Sequence, residues 1–161
     1  MPESEIHIRT YELSDIDDLI ALFRDSVRRV ARRDYTQEQV IAWTPDDIDR
    51  DARTLRHSSK PTWVAEIAGT MVGFSDLEPD GHLDCMYVHA DYQRRGVATR
   101  LLAQVEAAAK ERGIGRLYSE VSITARPFFE RRGFSVIAAQ VVTARGQKFL
   151  NYRMEKFLDS E

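Results

Sequence analysis

A chain of 161 residues that is 43% hydrophobic and 30% charged has the balance of a soluble globular protein and enough length for one full core. Its net charge of −3 argues against a dedicated nucleic-acid binder, and no apolar run approaches the roughly 20 residues that cross a bilayer. Met1–Thr10 lacks a signal-peptide core, and the single Cys85 leaves no intrachain disulfide or cysteine-built zinc cage, so the expected compartment is the cytoplasm.

In chain order, Glu5–Tyr11 sets Ile6 and Ile8 against His7 and Arg9, the alternation of a half-exposed strand. Ser14 is expected to cap a helix whose apolar stripe runs through Ile16, Leu19, Ile20, Phe23, Val27 and Val30, with Asp15, Asp17 and Asp18 at its positive end. Thr36 and Gln39 have capping-box spacing, which starts a short helix that stops near Trp43-Thr44-Pro45. A third helix is expected over Asp47–Leu55.

The pattern then turns to strands at Thr62–Ile67, Met71–Leu77 and Leu83–Val88, separated by turns at Ala68-Gly69 and Pro79-Asp80-Gly81. This reads as an antiparallel meander. A helix over Val97–Arg112 ends at Gly113, and the strand Arg116–Val121 can return parallel to Leu83–Val88 through a right-handed crossover. A short helix over Ala125–Arg132 precedes a hairpin of Phe134–Thr143 and Lys148–Glu155 about Ala144-Arg145-Gly146.

Gln93-Arg94-Arg95-Gly96-Val97-Ala98 lies between a strand and a helix, where the first helical amides and the dipole offer an anion site. Gly96 lets backbone approach a ligand, and Arg94 and Arg95 add charge. The segment is neither GxGxxG nor GxxxxGK[ST], so a phosphate-bearing cofactor of another kind is needed; many α/β turns of this form bind nothing.

With these elements in order, the chain resembles the GNAT superfamily of acyl-CoA-dependent N-acetyltransferases. Gln93, Gly96 and Ala98 meet that family's [QR]-x-x-G-x-[GA] signature, and Ser122 through Phe134 is similar to its N-x-x-A-x-x-[FL]-Y-E-x-x-G-F segment. The resemblance implies one domain over residues 5–158, of mixed α/β class. It implies a mostly antiparallel sheet of about seven strands with a splayed central parallel pair and flanking helices. It also implies acetyl-CoA as co-substrate, a small-molecule or peptide amine as acceptor, no metal, and a homodimer as a frequent assembly. The pyrophosphate then falls on Arg94, Arg95, Gly96, Val97, Ala98 and Thr99, and the pantetheine arm on the backbone of Tyr87 and Val88.

Acyl transfer to an amine needs a base, and the strand before the loop carries His82 and Asp84. Strand alternation puts His82, Asp84, Met86 and Val88 on one face, and the apolar neighbours Cys85 and Met86 favour a raised pKa at Asp84, the first choice. His82 is its rival as base. The structural alternatives are a solvated His82 beside its turn and an Asp84 that pairs with an arginine or anchors substrate. Phe129 stands where the family commonly has a tyrosine that protonates the departing thiolate, which leaves that role unfilled. Ser122 replaces the family's asparagine and offers its hydroxyl either to the cofactor amide or to the next helix as a cap. Acceptor choice falls to Tyr35 and Trp43, with the basic run Arg28, Arg29, Arg32 and Arg33 nearby.

Overall fold

The computed structural model describes residues 5–158. In chain order these form β1 (Ile6–Thr10), α1 (Ile16–Arg29), α2 (Gln37–Trp43), α3 (Arg50–Ser58), β2 (Thr62–Ile67), β3 (Thr70–Asp76), β4 (Met86–Val88), α4 (Val97–Glu111), β5 (Arg116–Ser122), α5 (Arg126–Arg131), β6 (Ser135–Ala144) and β7 (Gln147–Phe157). Seven strands lie in two hydrogen-bonded sets, β1-β2-β3-β4 and β5-β7-β6. All ladders within each set are antiparallel. Among the described residues no helix is long and apolar enough to cross a membrane.

Local chemistry explains most element ends. Thr36 Oγ1 accepts from Gln39 N at 3.1 Å while Gln39 Oε1 accepts from Thr36 N at 2.7 Å, the reciprocal box that starts α2. Ala68 and Gly69 have φ of +52° and +80°, and Arg145 and Gly146 have +47° and +79°. Left-handed backbone at both positions of a two-residue loop matches the strand twist of the β2–β3 and β6–β7 hairpins. The start of α1 differs from expectation, because Ser14 does not cap it. Glu12 and Asp15 bracket a 3-10 turn ahead of the helix, and buried Asp15 also takes two bonds from Arg9, at 2.7 and 2.8 Å. Asp49 rather than the Asp47 region opens α3, accepting from Ala52 N at 3.0 Å.

The two sets meet through one narrow join. His82 and Tyr118 form an isolated parallel bridge, with Leu83 N donating to Tyr118 O at 2.8 Å and Tyr118 N to Gly81 O at 3.1 Å. Beyond that join β4 has no ladder to β5 among the described residues, so the central parallel pair parts toward Val88 and Ser122. One apolar core lies beneath α4 and holds Leu101, Val105, Leu117, Phe129 and Met154. The other lies beneath α1 and α2 and holds Phe23, Val27, Val40, Phe74 and Phe149.

Candidate active site

The turn before α4 is built to leave backbone donors free. Arg94 and Gly96 have φ of +61° and +85°, and Gly96 holds the N-cap position with no side chain to cap it. Arg100 N is the first helical amide to reach a carbonyl, that of Gly96 at 3.0 Å. The amides of Arg94, Arg95, Gly96, Val97, Ala98 and Thr99 find no acceptor within the described residues. Those donors lie at the positive end of a 15-residue helix. Gln93 plays a different part from its neighbours, because its Nε2 donates to Val88 O at 2.9 Å and ties the loop to the end of β4. Thr99 Oγ1 accepts from Arg132 at 2.7 Å, and the Arg95 guanidinium lies over Tyr92 at 5.1 Å.

The expected strand Leu83–Val88 is shorter than its sequence suggests. Only Met86–Val88 pairs with β3, because Asp76 Oδ1 intercepts the amides of Asp84 and Cys85 at 2.9 and 3.1 Å. Two buried hydroxyls complete the kink: Ser75 donates to Cys85 O at 2.7 Å and Ser119 to Leu83 O at 2.6 Å. Side-chain facing therefore shifts by one residue. Leu83, Met86 and Val88 pack in the α4 core while Cys85 and Tyr87 pack in the other, so His82 and Asp84 do not share a face with Met86 and Val88. His89 N bonds Val72 O at 2.9 Å, and by alternation the amide of Val88 points away from β3 into the open wedge. Tyr87 turns its own backbone toward β3, so of the two backbone positions expected for a pantetheine arm only Val88 faces the wedge.

Asp84 lies among cations. Arg56 reaches its Oδ2 at 2.5 Å and Lys60 at 3.0 Å. Burial alone pushes the carboxyl up, but the Lys60 hydrogen bond and the Arg56 charge outweigh it and hold the pKa down to about 2. The expected upward shift is thus reversed. The apolar neighbours were legible in sequence, whereas the two cations come from α3 and the segment after it. His82 takes the opposite course. Its Nδ1 meets Glu78 at 2.9 Å and its Nε2 meets Glu120 at 2.7 Å. Burial favours the neutral ring, but the two carboxylates prevail and raise its pKa above the usual 6.5. Tyr118 stacks on His82 with ring centroids 4.9 Å apart and gives its hydroxyl to Asp80, whose bond pushes the phenol up to about 12.

The remaining sequence candidates divide clearly. Tyr35 is a brace: its hydroxyl donates to Leu150 O at 2.6 Å and accepts from Ile123 N at 3.0 Å, which ties β7 to the end of β5. Trp43 is half-buried and lies between Tyr35, Tyr87 and Phe149 at centroid distances of 5.6, 6.4 and 6.1 Å. Phe129 is core, edge-on to Phe134 at 5.0 Å. Ser122 accepts from Ala125 N at 3.1 Å and so serves the turn into α5. In the basic run, Arg28 binds Thr44 O and Asp46, and Arg29 binds Asp25 and Asp91. Asp76, Ser75, Ser119, Glu78 and Glu120 escaped the sequence reading. Glu120 had a signal, since alternation along β5 sets it beside Tyr118, on the face opposite buried Leu117 and Val121.

A family model described as an acetyltransferase (GNAT) domain matches residues 31–156. Over 152 residues the chain is 38% identical to the Escherichia coli (strain K12) protein named uncharacterized N-acetyltransferase YafP, covering 94% of this chain and 95% of that one. A GCN5-related N-acetyltransferase from Rhodopseudomonas palustris superposes with a TM-score of 0.92 at 34% identity, over 98% of this chain and 99% of that one. The PaiA N-acetyltransferase of Thermoplasma acidophilum, solved with coenzyme A, shares the fold with a TM-score of 0.77 at 22% identity, over 95% and 99% of the two chains.

Proposed function

The chain belongs to the GNAT acetyltransferase family, and from that premise we propose that it transfers acetyl from acetyl-CoA to a primary amine of a small molecule or peptide within a ternary complex. The observation that carries the donor half is the unsatisfied amide cluster at the start of α4, together with the Val88 amide that faces the parted strands. A pyrophosphate suits the first and an amide-bearing arm suits the second. The complexes solved for PaiA with coenzyme A and for the Salmonella typhimurium acetyltransferase yncA with acetyl-CoA support the same reading. Arg94 to Thr99 then hold the phosphates and Val88 the pantetheine arm. Acetyl-CoA supplies the acetyl thioester: the C–N bond forms as the C–S bond breaks, and the ammonium gives up two protons, one to base and one to the departing thiolate, which leaves as the thiol.

His82 is the base in this scheme, with Glu120 as the carboxylate that receives the incoming ammonium. Asp84, with its pKa near 2, is too weak a base for an alkylammonium and instead fixes Arg56 and Lys60. Phe129 gives no proton, so the thiolate departs without an acid from that position; a thiol pKa near 8.5 makes this feasible at neutral pH.

The test is thiol release from acetyl-CoA across an amine panel, followed against pH. A base whose pKa is raised must lose its proton before it can act, so kcat/KM is expected to climb through an inflection above 6.5. Glu120→Gln removes one cause of the shift and moves the inflection acidward; His82→Gln abolishes it and lowers kcat by about 10²-fold. An unmoved inflection in both variants excludes His82, and binding of CoA without thiol release from any amine favours a non-catalytic acyl-CoA-binding module.

A further inference from the structure

Arg53 stands apart from the other arginines of its surroundings. Arg28, Arg29, Arg50 and Arg56 each bind a carboxylate, and Arg24 donates to Asp46 O. Arg53, half-buried on α3, has no hydrogen bond or ion pair among the described residues; its guanidinium rests on the Phe23 ring at 4.2 Å. None of its nitrogens is both sealed from solvent and unpartnered, so they remain accessible to a ligand. Stacking on an aromatic face fixes the plane of a guanidinium and leaves its in-plane N–H fork free.

Through Phe23, Arg53 adjoins the aromatic set that packs on β4. Phe23 is edge-on to Tyr87 at 4.9 Å, Tyr87 neighbours Trp43 at 6.4 Å, and the Arg53 charge is felt at both Tyr87 and Cys85. One helical turn further along α3, Arg56 grips Asp84 at the kink of the strand. Lys60 links that contact to a carboxylate group, lying 3.0 Å from Asp84 and 3.5 Å from Glu78, and Glu78 and Glu120 flank His82. The surroundings thus hold, among the described residues, a cation without a partner beside aromatic rings, and carboxylates about His82. A neutral alkylamine leaves the Arg53 fork idle, whereas an amino-carboxylate engages both ends.

Resting on the transfer reading above, we propose that the acceptor is an amino-carboxylate, its anionic group held by Arg53 and its ammonium directed to the Glu120–His82 pair. Arg53 is a specificity residue here and takes no part in moving protons.

The experiment pairs acceptors of equal chain length, ω-amino carboxylates against n-alkylamines and α-amino acids against their amides, with acetyl-CoA as donor and thiol release as readout. The carboxylate member of each pair is expected to have kcat/KM higher by about tenfold or more, the size of a charge-assisted bidentate contact. Arg53→Gln should raise KM for carboxylate acceptors by a similar factor, with kcat and the alkylamine constants unchanged, and Arg53→Lys should restore part of the loss. A mere packing role on Phe23 predicts equal changes for both acceptor classes and overturns the proposal. So does an alkylamine that matches or exceeds its carboxylate partner. Absence of thiol release from every acceptor instead defeats the transfer reading, and this inference with it.

Discussion

His57 is fully buried, and neither ring nitrogen has a partner among the described residues. It packs edge-on against Phe74 at 5.6 Å and near Tyr11 at 6.2 Å, an environment that suits a hydrocarbon ring. Burial, with help from the Arg53, Arg56 and Lys60 charges, lowers its pKa from 6.5 to about 4. The unfolded chain therefore takes up a proton near pH 6.5 while the folded chain refuses it until about 4. Stability is unaffected by this group above pH 6.5 and falls as pH drops toward 4, by on the order of 3 kcal/mol. His57→Phe keeps the ring and removes the titration. Urea unfolding at pH 7.5 and pH 4.5 is expected to show a smaller acid loss in the variant than in the parent; equal losses mean that other groups carry the acid sensitivity. His82 has the opposite sign, its stabilisation being present at low pH and lost as pH rises through its raised pKa.

At the level of the element, the short β4 depends on a carboxylate from another strand. Asp76 is wholly buried, serves two amides through Oδ1, and lies 3.4 Å from Lys60 through Oδ2. Asp76→Ala strands both amides and leaves Lys60 short of a counter-charge, which should cost about 3–5 kcal/mol, with faster hydrogen exchange at the Asp84 and Cys85 amides. Asp76→Asn, which keeps an acceptor, should cost less. A loss below about 1 kcal/mol in the alanine variant means the kink is held by Ser75 and Ser119 instead. This element also marks where sequence reading stops. The Thr36–Gln39 box, the two tight hairpin turns and the Gln93–Ala98 loop were legible because each acts through residues at most a few positions apart. The kink was not, since Leu83–Val88 has an ordinary strand pattern and its interruption comes from Asp76, eight residues upstream and on a neighbouring strand. Asp84 misled for the same reason: its sequence neighbours are apolar, and its cations arrive from 28 and 24 residues away.

At the scale of the molecule, the two strand sets touch by ladder, among the described residues, only at the His82–Tyr118 bridge, and the wedge beyond is spanned by the proposed cofactor arm. A ligand that contacts both the α4 turn and the parted strands binds the folded chain alone, and so stabilises it by mass action. At a CoA concentration 100-fold above Kd the gain is about 2.7 kcal/mol, which for a chain of this size corresponds to a rise in Tm of roughly 5–10 °C. Gly96→Glu isolates the turn. An added Cβ there meets only Ile6 Cδ1 at 3.9 Å among the described residues, an ordinary contact; its φ of +85° costs a side chain about 1–2 kcal/mol. The variant should therefore melt cooperatively, a few degrees low, with its transition unmoved by CoA, because a carboxylate then competes for the amides proposed to hold the phosphates. A CoA-induced shift equal to that of the parent in this folded variant would take the phosphate site away from the start of α4, and with it the donor half of the proposed reaction.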